Sequence, residues 1–178
     1  MSSASILTQN VYESLRNRYK LEYLLEEIRV TFKSDVKISV NNIKIDAKEG
    51  DILPMSRWLS KILSNKNLVE IQDNEVSSYV SKALNRERIS KPHEISGIDA
   101  DFYIRIDDFI ESLNEKERET LTVSLNSFVI SRLGKIVKLA AASSLSAETE
   151  SKLSAEERQL YNFVHTSSLV FKSSVLHK

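Results

Sequence analysis

The segment from Gly50 to Ile71, GDILPMSRWLSKILSNKNLVEI, constrains the fold of this chain most. It predicts a short helix from Met55 to Asn65, which Pro54 can start and which carries the only tryptophan, followed by a short strand at 68–71. The chain downstream has an almost purely helical pattern. A compact β unit placed before a long helical region therefore limits the possible architectures to a few.

The residues before this segment predict the rest of the β unit. A helix is expected from about Thr8 to Ile28, after which apolar and polar residues alternate with period two up to Ile45. The pair Asn41-Asn42 suits a two-residue hairpin turn, because asparagine tolerates positive φ. The predicted core of the β module is formed by three residues of the short helix, Trp58, Leu59 and Ile62.

The second part of the chain predicts a helical bundle. Helices are expected at 73–88, 99–113, 114–142 and 154–176, with a linker at 89–98 and a loop at 143–152. Asn114 with Glu117, and Ser154 with Glu157, have the spacing of capping boxes. We therefore predict a mostly α protein with a small N-terminal α/β module, residues 1–72 with a leading helix, and a helical bundle as the main domain, residues 73–178.

The long helix at 114–142 carries more apolar surface than a surface helix needs. Its apolar arc covers over half of the circumference, and Ser124, Ser127, Ser131 and Gly134 form a row of small residues on the remaining face. Either its own chain covers this helix or a second protein does, and both interpretations stay open at this point. The candidate interface residues lie on this helix and on the last one: Leu121, Leu125, Phe128, Val129, Leu133, Ile136, Leu160, Phe163, Val164 and Phe171.

Composition excludes several classes of protein. The 25 basic and 25 acidic residues give a net charge of zero, whereas a dedicated nucleic-acid binder carries excess positive charge, so DNA contact is expected to be at most indirect. The chain has no cysteine, which excludes disulfides and thiolate sites. No apolar run is long enough to span a bilayer, and MSSASILTQN does not resemble a secretion signal, so we expect a cytoplasmic protein without membrane contact.

No pattern in the sequence predicts catalysis. The densest carboxylate group includes Asp101 and Asp108, which share a helix face with Arg105 and suit a solvated ion-pair ladder better than a metal site. The three histidines have no ligand spacing, and no phosphate-binding glycine motif occurs. We predict a non-enzymatic protein without cofactor or metal. Two basic groups could still touch phosphates: Lys82, Arg86, Arg88 and Lys91, and Arg132, Lys135 and Lys138.

Four segments, in order, resemble the GINS family. GDILPMSRWLSKILSNKNLVEI is similar to its β-module signature, and the Asp101-Phe102-Tyr103 opening with Ile106 and Phe109 is similar to its "D-F-Y" helix. Arg132-Leu133-Gly134-Lys135-Ile136 resembles the family's "R-L-x-K-I" stretch, and LSAEERQLYNF at 153–163 resembles its final helix. Because the β module comes first, the resemblance is to the archaeal "two-three" type subunit.

The resemblance implies a function in DNA replication. A subunit of this type forms a 2:2 heterotetramer with a helical-first GINS subunit. The complex is an accessory of the MCM helicase, links it to a Cdc45- or RecJ-like protein, and brings the subunit to the nucleoid. The alternative is a winged-helix DNA-binding transcription regulator, in which residues 55–71 supply a helix and a wing strand.

Overall fold

The computed structural model describes residues 3–40, 43–72 and 76–176. The described chain is mostly helical, with a small α/β module near its N-terminus, as predicted. The helices are α1 (Ser3–Leu25), α2 (Arg57–Asn65), α3 (Val76–Ile89), α4 (Phe102–Ser112), α5 (Glu115–Ala142), α6 (Ala147–Glu150) and α7 (Ala155–Leu176). The strands are β1 (Glu27–Phe32), β2 (Val36–Val40), β3 (Ile43–Ala47), β4 (Ile52–Ser56) and β5 (Val69–Ile71).

The chain divides into two compact units. One unit, the module, is Lys20–Glu75, and the other, the helical unit, combines Met1–Tyr19 with Val76–Lys178. The division falls within α1, and Arg16 of α1 forms an ion pair with Asp107 of α4 in the helical unit. The sequence-based boundary at residue 72 stays a prediction, and it differs from this division chiefly in where the first nineteen residues belong.

The module is built around strand β1. Strand order is β4-β1-β5 with antiparallel pairing throughout, so that Val30 lies opposite both Leu53 and Ile71. Strands β2 and β3 form a separate antiparallel pair, and the predicted turn at Asn41-Asn42 lies outside the described residues. Alternation along β1 buries one face, as period two requires. The buried core consists of Val30, Phe32, Val36, Ile45, Ala47, Met55, Leu63 and Val69.

Two predictions for the module are wrong. Pro54 does not start the helix but lies in β4, an edge strand that tolerates a residue without an N–H, and α2 begins at Arg57. The buried face of α2 also differs from the predicted one. Of the three predicted core residues, Leu59 packs against the core, Trp58 is half-buried, and Ile62 is 46% exposed and lies outside the core. Arg57, Ser60 and Leu63 are the buried residues of α2.

Arg57 is a buried charged residue of the module. Its guanidinium lies 4.3 Å from the ring centroid of Tyr23, and its Nη2 lies 3.2 Å from Oε2 of Glu26. The cation–π contact and the ion pair compensate for the water that burial removes from the guanidinium. These contacts tie the start of α2 to the end of α1.

The helical unit has two apolar clusters along α5. The first joins α3, α4 and the first half of α5, and its buried members are Val80, Ala83, Ile98, Phe102, Ile106 and Phe128. The second joins the other half of α5 to α7, with Ile95, Ile136, Ala140, Leu153 and Tyr161 buried. Helix α5 therefore extends through both clusters, as expected for the central helix of a bundle.

The predicted caps at both long helices are present. Asn114 Oδ1 accepts a hydrogen bond from the Glu117 N–H at 3.0 Å, which caps α5. At α7, the Glu157 N–H donates to Ser154 Oγ at 3.2 Å while the Ser154 N–H donates to Glu157 Oε2 at 3.1 Å, the reciprocal pair of a capping box. The segment predicted as a loop at 143–152 contains one short helix, α6, which Ser146 caps.

Candidate interaction surface of the helical unit

A buried arginine fixes the orientation of α5. Arg132 is fully buried, and its Nε and Nη2 donate to the two carboxylate oxygens of Glu157 at 2.6 Å each. Its Nη1 donates to Glu87 Oε2 at 2.9 Å and to the Ser96 carbonyl at 2.8 Å. The planar guanidinium suits such a bidentate contact, and each bond to a charged partner is stronger than one between neutral groups. One side chain thus joins α3, α5, α7 and the 89–98 segment.

Glu157 has two roles at once. It caps α7 through Ser154, and it also accepts a hydrogen bond from the Tyr103 hydroxyl at 2.8 Å. Burial raises the pKa of the Tyr103 phenol, and the negative charge of Glu157 raises it further. Tyr103 therefore stays a neutral donor. The capping box that the sequence predicts for α7 is in this way part of a buried polar network that reaches α4 and α5.

Glu87 of α3 completes the network. Its Oε1 lies 2.7 Å from Lys135 Nζ, and Oε2 accepts from the Ser96 N–H and hydroxyl as well as from Arg132. Burial alone would raise the pKa of Glu87, but the bonds from Lys135 and Ser96 and the charge of Arg132 outweigh it and lower the pKa below its ordinary 4.5. Two buried cations are therefore balanced by two buried carboxylates, Glu87 and Glu157.

This network changes the interpretation of the second basic group. Arg132 and Lys135 are buried in ion pairs with Glu87 and Glu157, so neither is available to bind phosphates. Only Lys138 of that group is exposed. Arg105 Nε lies 2.9 Å from Asp101 Oδ2, so these two residues pair as predicted, but their side chains are only 27% and 18% exposed and the pair is not the solvated one that was expected.

The opposite side of α5 is exposed and largely apolar. Residues spaced by three or four positions repeat on one face of a helix, and Ile130, Leu133 and Val137 follow this spacing. They are 69%, 44% and 40% exposed, and Val123 and Val129 extend the same strip. A helix in a protein that functions without a partner rarely leaves an apolar strip of this length exposed to solvent.

The last part of α7 is exposed in the same way. Beyond Tyr161 its apolar side chains are mostly uncovered, and the sequence from 166 to 176 contains a single charged residue, Lys172. We call the exposed apolar residues of α5 and α7 the apolar surface. Its members are Val123, Val129, Ile130, Leu133, Val137, Phe163, Leu169, Val170, Phe171, Val175 and Leu176.

The ten predicted interface residues fall into three groups. Val129, Leu133, Phe163 and Phe171 belong to the apolar surface. Leu121, Leu125, Leu160 and Val164 are half-buried and pack against the internal clusters. Phe128 and Ile136 are 3% and 1% exposed, so the chain's own core covers them and they offer little surface to a partner. The predicted stripe therefore combined a core face with part of an exposed face.

No metal-binding cluster accompanies this surface in the described part of the chain. Among residues 3–40, 43–72 and 76–176, no group of three or more metal-binding side chains lies close enough together to hold a metal ion. His165 Nδ1 lies 2.9 Å from the Ala140 carbonyl, a contact between α7 and α5. None of the described helices has the length and apolar character needed to cross a membrane. Neither a protein-family model nor a curated protein matches the sequence.

Proposed function

We propose that this chain is a non-enzymatic assembly subunit whose helical unit binds partner subunits through the apolar surface. The observation that carries this proposal is the continuous exposure of Ile130, Leu133 and Val137 on α5, together with the exposed apolar end of α7. Burying such side chains contributes about 25 cal/mol per Å² of apolar area, which makes association the favourable outcome in water. A net charge of zero adds no long-range repulsion between subunits.

We further propose a GINS-type identity for this subunit, of the archaeal "two-three" type. Support comes from the order of the parts, a module with a short α2–β5 end before a helical unit, and from the four sequence segments that resemble the family. On this proposal the partners are a helical-first GINS subunit in a 2:2 heterotetramer, the MCM helicase and a Cdc45- or RecJ-like protein. The complex would act at the nucleoid, within the cytoplasm, with DNA contact at most indirect.

The direct experiment is co-expression with a helical-first GINS subunit, followed by size-exclusion chromatography with light scattering. The expected result is co-elution with the mass of a 2:2 complex, and loss of that complex when Leu133 is replaced by Asp. The matched control is Lys138→Asp, an exposed change on the same helix outside the apolar surface, which should assemble normally. Separate elution of the two wild-type chains would refute the GINS identity, and tight duplex DNA binding with a steep salt dependence would favour the winged-helix alternative.

A further inference from the structure

A groove of about 730 Å³ lies between α3 and α5. Residues spaced by three and four positions line each wall, so each helix turns one face towards it. The wall from α3 is formed by Ser81, Leu84, Asn85 and Arg88, and that from α5 by Val123, Ser124, Ser127, Phe128, Ser131 and Lys135. The groove shares Val123 with the apolar surface, and the proposed function uses none of its other lining residues.

Two of the serine hydroxyls on the α5 wall are already hydrogen-bonded within the helix. Ser124 Oγ donates to the Thr120 carbonyl at 3.1 Å and Ser127 Oγ to the Val123 carbonyl at 3.2 Å, so neither hydroxyl needs a new acceptor. Their small side chains let another backbone approach closely. The lining of the groove ends at Lys135 on α5, and Lys138 continues the same face of the helix. The span from Ser124 to Lys138 is about 21 Å at 1.5 Å per residue, or about four turns of a helix.

The charge of the groove is positive. Glu87 is the only carboxylate among the described residues that line it, and Lys135, Arg132 and Ser96 already engage both of its oxygens. Arg88 is exposed in the lining, and Lys138 is exposed on α5 seven residues after Ser131 and thus on the same side of the helix. Neither Arg88 nor Lys138 forms an ion pair with a carboxylate among the described residues.

We infer that this groove is a docking site for an amphipathic helix of a partner protein that carries acidic side chains. The apolar stripe of such a helix would contact Leu84 and Val123. The serine row permits its close approach, and its carboxylates would meet Arg88 and Lys138 at the end of the groove where α3 terminates. This is the helix-in-groove mode of recognition, with charge complementarity selecting the partner.

The test uses a labelled helical peptide of about four turns, with leucine on one stripe and glutamate on the opposite face. Fluorescence anisotropy should show binding of this peptide to the full chain and no binding of the same peptide with lysine in place of glutamate. The double variant Arg88→Glu/Lys138→Glu should weaken binding about tenfold, because each exposed charge contact changes from attraction to repulsion. Ser127→Trp should abolish binding by filling the groove, with circular dichroism confirming that the helices remain.

The matched control is Lys82→Glu/Arg86→Glu, which reverses two exposed charges of α3 outside the groove lining and should bind the glutamate peptide normally. Equal binding of the two peptides, no binding of the glutamate peptide, or an unaffected Arg88→Glu/Lys138→Glu variant would overturn the inference. So would single-stranded DNA that binds more tightly than the peptide and is released by the same double variant. Assembly with a helical-first subunit is measured separately and should survive the groove variants, so the two proposals can fail independently.

Discussion

Replacing Arg132 by Met is the most informative perturbation of the helical unit. Methionine keeps most of the length of the side chain but removes the charge and the bonds to Glu157, Glu87 and the carbonyls of Ser96 and Lys152. Glu157 then keeps Tyr103 and Ser154 as donors but loses its buried cation. Breaking a buried ion pair from one side costs about 3–5 kcal/mol, a large part of a total stability of about 5–15 kcal/mol.

Urea unfolding followed by far-ultraviolet circular dichroism measures this loss, since most of the helix belongs to the helical unit. Trp58 lies in the module, so its fluorescence reports the other unit and serves as an internal control. The exposed change Lys138→Met on the same helix should alter the free energy of unfolding by less than about 0.5 kcal/mol. Adding Glu157→Gln to Arg132→Met should recover part of the loss, because the uncompensated carboxylate is gone. A cost for Arg132→Met below about 1 kcal/mol would refute the buried network.

Three further predictions concern single contacts. Leu133→Asp, at a position that is 44% exposed, should keep its helical content but fail to assemble in light scattering. Ile136→Asp, at a position that is 1% exposed, should unfold the helical unit. Equal behaviour of the two variants would contradict the burial described above. Asn114→Ala removes the acceptor of the Glu117 N–H and should lower the free energy of unfolding in urea by about 1 kcal/mol, and an unchanged midpoint would exclude that cap. Because the pKa of Glu87 is lowered in the folded protein, its contribution should be complete above pH 4.5 and be lost as the pH falls through the lower folded value; thermal unfolding measured across this range should show a smaller acid loss in Glu87→Gln.

The sequence allowed the helices of the second unit to be predicted because their ends carry local signals. Asn114 and Ser154 cap the helices that their spacing to Glu117 and Glu157 indicates, and both caps form within four residues of chain. Strand β1 could be predicted equally well, since its alternation follows from one buried face, whereas β4 was not predicted. Helix caps and strand alternation both depend on residues that are close together in the sequence.

The polar network could not be predicted, because its contacts are distant in sequence. Arg132 meets Glu157 across 25 positions and Glu87 across 45, and a charged residue in a helix normally indicates an exposed face. The one signal for it was the placement of Arg132 and Lys135 on the same turn, among the mostly apolar residues of the second half of α5. Such a placement of Arg132 and Lys135 indicates buried carboxylate partners rather than phosphates.

The start of α2 was misplaced for a local reason. A proline suits both the first turn of a helix and an edge strand, and the residues around Pro54 do not distinguish these two positions. Pairing of β4 with β1 decides the matter, since Arg29 lies opposite Pro54 in the sheet. The exposure of Ile62 has a different cause: Arg57, Ser60 and Leu63 recur at intervals of three and form the buried face of α2, and Ile62 lies outside it.

The central claim is that the apolar surface of α5 and α7 requires a protein partner. The most direct measurement is the mass of the purified chain alone, by light scattering after size exclusion. The account predicts an associated species, with a mass that is a multiple of the 20.3 kDa of one chain. A stable, monodisperse particle of 20.3 kDa, with Leu133 and Ile130 exposed to solvent, would contradict it.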